Sequence, residues 1–390
     1  MKITKNTFFI TLFLLLSTII SCKQDLQKKE KVTKKKFTVD YTVKVFSDIQ
    51  KENDTIIKLL NECIQSKKYH TYFDFWDKSD TTILKYPYID LYSVINNSPK
   101  DYQPVIIGIN KINNKKFLIK IAVMGIYDND FSLEYLFNLY GVRDKKNNFV
   151  LKNVISEKLK EWEIEQFNNI TYFFNKKSKD FDKEVKEQTL FENELIKLFD
   201  VKKLNYKYIV CKNNAETLSI RGFEFEPTMF LNNIGGTAFQ AQKTIFAGDN
   251  SAFYPHELTH LYTYEYFPKI HHLIDEGIST YLGGARELNF TEHKKKLKKY
   301  IQENNINLFE YLMDDYDRHT LIDKNSSLLY AGGALICDII YKKRGKEGLI
   351  NLMSSGTSNK ELVKTLENLL DVKNKDEINS ILIKHLNIQE

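Results

Sequence analysis

The sequence predicts an α+β protein with two folded domains in series. Runs rich in β-branched and aromatic residues occur between residues 105 and 151, and again near 170–174, 206–211 and 234–246. After residue 249, apolar positions recur at helical spacing almost to the end of the chain. With 390 residues, 42% of them hydrophobic, the chain can bury two cores, and its composition excludes disordered, collagen-like and disulfide-scaffold proteins.

The first 22 residues have the pattern of an export signal. Lys2 and Lys5 precede an apolar run that continues to Ile20 and is too short for a typical spanning helix. The run ends in IISC, which resembles the lipobox of bacterial lipoproteins, with Cys22 as its last residue. The resemblance implies cleavage of residues 1–21, acylation of Cys22 and membrane attachment through it. An ordinary cleaved signal and an uncleaved anchor are the alternative interpretations.

Residues 22–36 are almost all polar and predict a flexible tether. We expect a lipid-anchored protein of the cell envelope. Lys23, directly after the acylated cysteine, lacks the acidic character that favours retention at the inner membrane of a Gram-negative cell, so the outer membrane is the expected location.

Charge and cysteine content exclude several other classes. The formal charge of +6, from 57 Lys+Arg and 51 Asp+Glu, is spread along the chain, so nucleic-acid binding is not indicated. The four cysteines show no CxxC spacing, which excludes a cysteine-type zinc site and a dense disulfide framework. The sequence does not indicate an oligomeric state.

The predicted amino-terminal domain comprises residues 37–155. Helical periodicity up to Cys63 is followed by predicted strands at 105–109, 117–123, 133–140 and 148–151. This order of elements resembles the cone-shaped fold of the nuclear-transport-factor-2-like (NTF2-like) superfamily. The domain contains no catalytic cluster, and a role in binding a small ligand or docking a protein is open. A helix over 154–167 is expected to lead into the second domain.

The second domain is predicted to comprise residues 168–390. This domain is predicted to begin with strands at 170–174, 206–211, 234–239 and 243–246, with a helix over 181–199 between the first two. A mostly helical half follows. Strands first and helices afterwards favour a short mixed sheet, with a functional site where the two halves meet.

The helical half begins with a metal-binding pattern. His256-Glu257-Leu258-Thr259-His260 has the form HExxH. Because residues i and i+4 share a helix face, His256 and His260 can present two imidazole nitrogens to one zinc ion, and Glu257 can reach a water molecule beside it. A helix whose histidines match the pattern by chance is the alternative.

A catalytic zinc site needs a third protein ligand, and Glu276 is the candidate. It lies sixteen residues after His260, beyond Pro268, which ends one helix and allows the next to fold back. HExxH with a downstream helix containing Glu276-Gly277 resembles the gluzincins, the thermolysin- and aminopeptidase-N-like zinc peptidases, and most of all their peptidase MA-like branch. The resemblance implies a zinc site of His256, His260 and Glu276 with Glu257 as general base.

A third segment, Tyr330-Ala331-Gly332-Gly333 followed by Arg344-Gly345, resembles the Tyr-x-x-Gly helix of the same family. On that resemblance Tyr330 is a second catalytic candidate, because a phenol hydroxyl can donate to the oxyanion formed at a peptide carbonyl. A packed tyrosine with no catalytic role is the alternative.

Other candidates near the motif have structural alternatives. Thr280 is a candidate donor to a ligating histidine or a helix-packing residue. Asp275 is expected to face about 100° away from Glu276, in a salt bridge or a cap. His271 and His272 are expected to support the site or lie on the surface. Gly235–Gly236 mark either an edge strand that pairs with an extended substrate or an ordinary turn.

The expected function is zinc-dependent hydrolysis of peptide bonds in a peptide or protein substrate. The Gly-x-Met-Glu-Asn strand of related aminopeptidases is missing, so exopeptidase specificity is not supported, and an endopeptidase or an enzyme for an unusual envelope amide stays open. The alternative from another class is a non-enzymatic lipoprotein that uses a gluzincin fold as a binding module.

Overall fold

The computed structural model describes residues 36–45, 48–66, 74–230 and 234–387. The proposed signal peptide, Cys22 and all of the tether except Lys36 lie outside these residues. None of the helices in the described ranges has the length and apolar character needed to cross a bilayer. The architecture is α+β, as the sequence predicts, and the described residues form two compact units: 36–163 with 211–230, and 164–210 with 234–387.

The amino-terminal unit is built on one sheet with the strand order β1-β2-β3-β4-β5, and β9 pairs with β4. β1 is parallel to β2, whereas β2, β3, β4 and β5 are antiparallel neighbours. The strands are β1 (Thr38–Val39), β2 (Gln103–Asn113), β3 (Lys116–Tyr127), β4 (Asp130–Arg143), β5 (Phe149–Lys152) and β9 (Phe223–Phe225). The predicted antiparallel meander is therefore present. The NTF2-like resemblance stays a prediction.

Helices of this unit bury their apolar side chains. In α2, Ile56, Leu60 and Cys63 recur at helical spacing and join a core with the apolar residues of β2, β3 and β4. The helices are α1 (Tyr41–Val45), α2 (Gln50–Gln65), α3 (Ile89–Asn96), α4 (Ile155–Lys158) and α6 (Asn214–Arg221).

Two expectations about the boundary between the units are wrong. The helix expected over 154–167 ends at Lys158, and Glu163–Phe167 is a strand, because its neighbour Ile170–Phe174 supplies the sheet edge with which it pairs. The domain expected over 168–390 also differs, since residues 211–230 belong to the amino-terminal unit, where β9 pairs with Leu136 and Phe137.

The carboxy-terminal unit contains a five-stranded mixed sheet with the order β10-β11-β8-β7-β6. β7, β8 and β11 are parallel, and β10 is antiparallel to β11 at the edge of the sheet as described. The strands are β6 (Glu163–Phe167), β7 (Ile170–Phe174), β8 (Tyr206–Val210), β10 (Gly235–Phe239) and β11 (Thr244–Gly248). Helix α5 (Phe181–Phe199) connects β7 to its parallel neighbour β8, as such crossovers require.

The rest of this unit is helical apart from a hairpin of β12 (Leu321–Asp323) and β13 (Ser326–Ser327). The helices are α7 (Pro255–Tyr266), α8 (His272–Gly283), α9 (Phe290–Asn304), α10 (Leu308–Met313), α11 (Leu328–Met353), α12 (Asn359–Leu370) and α13 (Lys375–Asn387). Gly345, with φ of 63°, interrupts α11. One continuous core joins the sheet to these helices.

Candidate metal centre

Helix α7 presents the two histidines of the HExxH pattern. Pro255 occupies its first turn, where a missing backbone N–H is tolerated and φ is already helical. His256 and His260 lie one helical turn apart on a buried face and are 7% and 5% exposed. Because α7 packs against β10 and β11, the sheet closes one side of this face.

Helix α8 folds back after Pro268, as the sequence predicts, and presents Glu276 to the same point. Its position depends on a close approach to α11, since a Cβ atom on Gly277 would lie 2.4 Å from the backbone carbon of Gly333. No side chain larger than hydrogen fits between the two backbones. Gly277 and Gly333 therefore allow helix α8, which bears Glu276, to pack closely against helix α11, which bears Tyr330.

The ligand atoms of His256, His260 and Glu276 converge. The two Nε2 atoms are 3.1 Å apart, and each is 3.5 Å from Glu276 Oε2. For bonds of 2.0–2.2 Å, three ligands of a tetrahedral zinc ion are separated by about 3.4 Å. The observed triangle therefore fits a zinc ion with a fourth position open, and it is the one such group of three among the described residues.

The proton positions on His256 also suit metal binding. Its Nδ1 lies 2.6 Å from the backbone oxygen of Gly284. A carbonyl oxygen only accepts hydrogen bonds, so Nδ1 carries the proton and the lone pair is on Nε2, the atom in the triangle. A backbone carbonyl thus sets the tautomer that a metal ligand needs.

His260 is oriented by three neighbours. Its Nδ1 lies 3.2 Å from Asp275 Oδ2 and 3.2 Å from Ser279 Oγ, and its ring stacks on Tyr264 with centres 5.5 Å apart. Asp275 thus forms an ion pair, which is one of its two expected roles, and its partner is His260 of the candidate site. Asp275 and Ser279 are four residues apart on one face of α8, and that face contacts the far side of the His260 ring.

The charges of the cluster act on one another. Although burial opposes the shift, His260 and His256 hold the pKa of Glu276 well below its usual range. Burial likewise opposes the charged form of His260, but Asp275 and Glu276 raise its pKa well above the usual value. The cluster therefore stabilises the ionised form of Glu276 through positive charge on the neighbouring imidazoles.

Glu257 lies next to the ligand triangle, on the side of the edge strand β10. It is 8% exposed, and its carboxylate accepts a hydrogen bond from the backbone N–H of Ala238 in β10. Burial raises the pKa of Glu257, while the charges of His260 and His256 act against this rise. A Cβ atom on Gly236 would lie 2.9 Å from Glu257 Cγ, so β10 approaches the carboxylate closely only because residue 236 is glycine.

Tyr330 lies at the first turn of α11, beside the cluster. Its ring packs edge-on against His256 with centres 6.1 Å apart, and the Arg286 guanidinium carbon lies 5.3 Å from its ring centre. Burial and the charge of Glu276 raise the pKa of Tyr330 to about 12, so the hydroxyl keeps its proton near neutral pH and can donate it.

The weaker candidates have mixed outcomes. The buried hydroxyl of Thr280 has no hydrogen-bond partner within the described part of the chain, so its expected role as a donor to a ligand is wrong, and packing in α8 remains. His271 caps α8 by accepting from the Leu273 N–H, and His272 stacks on His319. Residues 235–236 lie in the edge strand rather than in a turn.

Sequence reasoning missed three residues around the site. Ser279 is of a common residue type, His293 belongs to no recognisable motif, and Arg286 lies ten residues after Glu276 in a non-periodic segment. Only the glycine pair 283–284 before Arg286 signals a turn there. Their roles depend on tertiary contacts that no local pattern encodes.

No protein-family model matches this chain, and no curated protein is significantly similar to it. The site therefore has to be interpreted from its own geometry.

Proposed function

We propose that this protein is a zinc-dependent peptidase of the gluzincin type, similar to the peptidase MA-like branch. The observation that carries the proposal is the triangle of His256 Nε2, His260 Nε2 and Glu276 Oε2, whose sides of 3.1, 3.5 and 3.5 Å fit one zinc ion, with Glu257 adjacent. Three nitrogen and oxygen ligands with an open fourth position are characteristic of catalytic rather than structural zinc sites.

In this proposal His256, His260 and Glu276 hold the metal. When bound, zinc lowers the pKa of a coordinated water molecule and polarises the substrate carbonyl. Glu257 accepts the proton of the attacking water and passes it to the leaving amine nitrogen. The buried position of Glu257 suits both steps, because the sheet and α7 exclude bulk water from its carboxylate.

Tyr330 and the edge strand complete the proposed site. The Tyr330 hydroxyl, protonated at neutral pH, donates a hydrogen bond to the oxyanion that develops on the carbonyl. Within the described residues no strand pairs with the outer side of β10, and backbone groups of this edge other than the Ala238 N–H are offered to an extended substrate, which is the usual way a sheet edge binds a peptide. This mode of binding supports an endopeptidase.

The decisive experiment measures zinc content and peptide cleavage on the purified full chain in detergent. We expect about one zinc per chain, as one ligand triangle allows. Zinc is lost in His256→Ala and His260→Ala, whereas Glu257→Gln keeps zinc and loses cleavage by about 10²- to 10⁴-fold. Glu310→Gln, on an exposed position of α10, is the matched control and should change neither property.

The outcomes separate the two classes of function. Full zinc occupancy in His256→Ala contradicts the ligand assignment. Zinc binding without cleavage of any peptide in a mixed library contradicts the peptidase and favours the non-enzymatic binding module.

The export signal, lipid anchor and envelope location belong to the same proposal and rest on the residues up to Cys22. Expression in a Gram-negative host with labelled fatty acid should label the wild type and leave Cys22→Ser unlabelled. Recovery of the label in the outer-membrane fraction is expected. Labelling of Cys22→Ser contradicts the anchor.

A further inference from the structure

A tight turn at Ala285–Leu288 follows the helix that bears Glu276. Ala285 N–H donates to Leu288 O at 2.9 Å, and Leu288 N–H donates to Ala285 O at 3.0 Å. The two central residues, Arg286 and Glu287, have φ of 47° and 66°. Positive φ at both positions is the pattern of a type I′ turn, which normally uses Asn and Gly because side chains disfavour it. Arg286 therefore occupies a backbone position that other residue types fit better.

The turn is tied to the metal centre on one side and to a buried histidine on the other. The carbonyl just before it, Gly284 O, accepts from His256. The carbonyl of Ala285 lies 3.0 Å from His293 Nε2, while His293 Nδ1 lies 2.8 Å from Ser326 Oγ. The turn thus has a fixed position relative to the ligand His256, and so does the side chain it carries.

Arg286 differs from every other arginine of the chain. The sequence has five arginines, and four of them lie within 4 Å of a carboxylate. Those four are Arg143, Arg221, Arg318 and Arg344, paired with Glu52, Asp90, Asp315 and Asp371. Arg286 is half-buried and donates to the backbone oxygen of Lys324 at 3.3 Å and to the Tyr330 hydroxyl, but within the described residues no carboxylate pairs with it.

The position of Arg286 is within reach of a substrate in the proposed site. Its guanidinium carbon is 5.3 Å from the Tyr330 ring centre, which is 6.1 Å from the His256 ring centre. The distance from the guanidinium carbon of Arg286 to the centre of the His256 ring is therefore at most the sum of these two distances. An extended peptide advances about 3.3–3.6 Å per residue, so groups up to about three residues from the scissile bond can meet it.

We propose that Arg286 binds a carboxylate of the substrate and makes the enzyme selective for peptides with an anionic group close to the scissile bond. The guanidinium fork matches a carboxylate with two parallel hydrogen bonds, and partial burial strengthens such a pair relative to water. This inference rests on the proposed peptidase function. A free carboxy terminus and an Asp or Glu side chain supply the same chemistry.

The test uses one cleavable peptide of about six residues in four forms. The peptide ends in a free acid or an amide, and it carries Glu or Gln beside the scissile bond. We expect the wild type to favour a carboxylate-bearing form, and Arg286→Gln to lose about 10- to 100-fold in kcat/KM for that form alone. A selectivity that follows the terminus identifies a carboxy-terminal specificity, and one that follows Glu identifies an acidic side chain.

Controls separate substrate binding from support of the fold. Arg286→Lys keeps the charge without the fork and should retain part of the selectivity, while Arg344→Gln, an arginine at the interruption of α11, should retain all of it. Zinc content of each variant is measured alongside. An equal loss of activity for all four peptides in Arg286→Gln contradicts the inference, because it indicates that Arg286 only positions Tyr330 or the turn.

Binding measured without turnover distinguishes this inference from the proposed function. In the Glu257→Gln background, calorimetry should show tighter binding of the carboxylate form, and adding Arg286→Gln should remove the difference. If this holds while the wild type cleaves no peptide, the peptidase function fails and the carboxylate site stands. Equal affinity for all four peptides in Glu257→Gln overturns the carboxylate site.

Discussion

Two groups of buried carboxylates in this protein, one in each unit, have different partners. In the amino-terminal unit, Asp80 is fully buried, accepts from the Asn153 N–H and lies 3.2 Å from Lys152 Nζ. Asp90 in the same unit pairs with Arg221 at 2.6 Å. Each of these two carboxylates has a basic partner from its own unit, as a structural ion pair requires.

The carboxy-terminal unit leaves its charges unbalanced around the ligand triangle. Glu257, Asp275 and Glu276 lie together with His256 and His260, and within the described residues no lysine or arginine comes within 4 Å of these carboxylates. A buried group of acids whose only basic partners are imidazoles favours a cation bound among them. A buried carboxylate paired with lysine or arginine is therefore expected to stabilise the fold, whereas the group around the ligand triangle is expected to bind a cation.

The largest expected effect on zinc binding and cleavage comes from removing one negative charge from the carboxylates around the ligand triangle. Glu276→Gln keeps the volume of the side chain but weakens the third ligand, so we expect zinc and peptide cleavage to fall by more than about 100-fold, the upper range for residues that only support a ligand. The measurements are metal content after dialysis and the cleavage rate.

Asp80→Asn is the control from the amino-terminal unit. It leaves Lys152 without its charged partner, so it should lower the free energy of unfolding by about 3 kcal/mol and leave zinc bound. Loss of zinc in Asp80→Asn, or retention of it in Glu276→Gln, contradicts the distinction between the two kinds of charge cluster.

The next largest effect on zinc affinity is expected at Asp275. This residue belongs to the buried carboxylates around the ligand triangle but contacts His260 rather than the proposed metal. Asn at this position can still accept from His260 Nδ1 but no longer strengthens the basicity of the ring. We expect zinc affinity to fall by about 10- to 100-fold, measured by competition with a chromophoric chelator. Asp90→Asn is the matched control, and an equal fall in both variants contradicts a supporting role for Asp275.

The sequence predicted the strands β2 to β5, β7, β8, β10 and β11 and the three members of the ligand triangle, because these depend on local spacing. HExxH fixes two ligands on one helix face, and Pro268 ends that helix before Glu276. The strand at 163–167 and the return of 211–230 to the other unit depend on which sheet edges are available for pairing. The role of Asp275 depends on the rotation of α8 against α7, which no short-range pattern specifies.

A smaller effect is expected from the close approach of the edge strand to the proposed base. An added Cβ on Gly236 would lie 2.3 Å from a ring carbon of Tyr254 as well as near Glu257, so Gly236→Ala must displace one of them. We expect kcat to fall on the order of tenfold with zinc content unchanged, because general-base catalysis is sensitive to small displacements.

Gly108→Ala in β2 is the matched control in the amino-terminal unit. Its Cβ would meet neighbours only at 3.8 and 3.9 Å, which is ordinary packing distance, so activity should be unchanged. Wild-type activity in Gly236→Ala would show that the position of Glu257 does not depend on β10.

The smallest expected effect is a difference between the two units in how their stability depends on pH. Three buried histidines of the carboxy-terminal unit have a pKa that burial lowers to about 4, namely His271, His293 and His319. In the unfolded chain histidine titrates near 6.5, so the unfolded state binds more protons between pH 6.5 and 4. The stability that these neutral side chains contribute is complete above pH 6.5. It falls with decreasing pH by about 1.4 kcal/mol per pH unit for each histidine.

The chain offers separate probes for this comparison. Its two tryptophans, Trp76 and Trp162, both belong to the amino-terminal unit, which has only one histidine, His70, outside the described residues. In urea with a chelator, a decrease from pH 7 to pH 5 should therefore shift helix loss, followed by circular dichroism, to lower urea concentration by more than it shifts the change in tryptophan fluorescence. His293→Gln should reduce the pH dependence of the free energy of unfolding, followed by the helix signal, by the contribution of one histidine. An unchanged pH dependence in that variant contradicts the assignment of a neutral, buried His293, and with it the fixed turn that places Arg286 beside the metal centre.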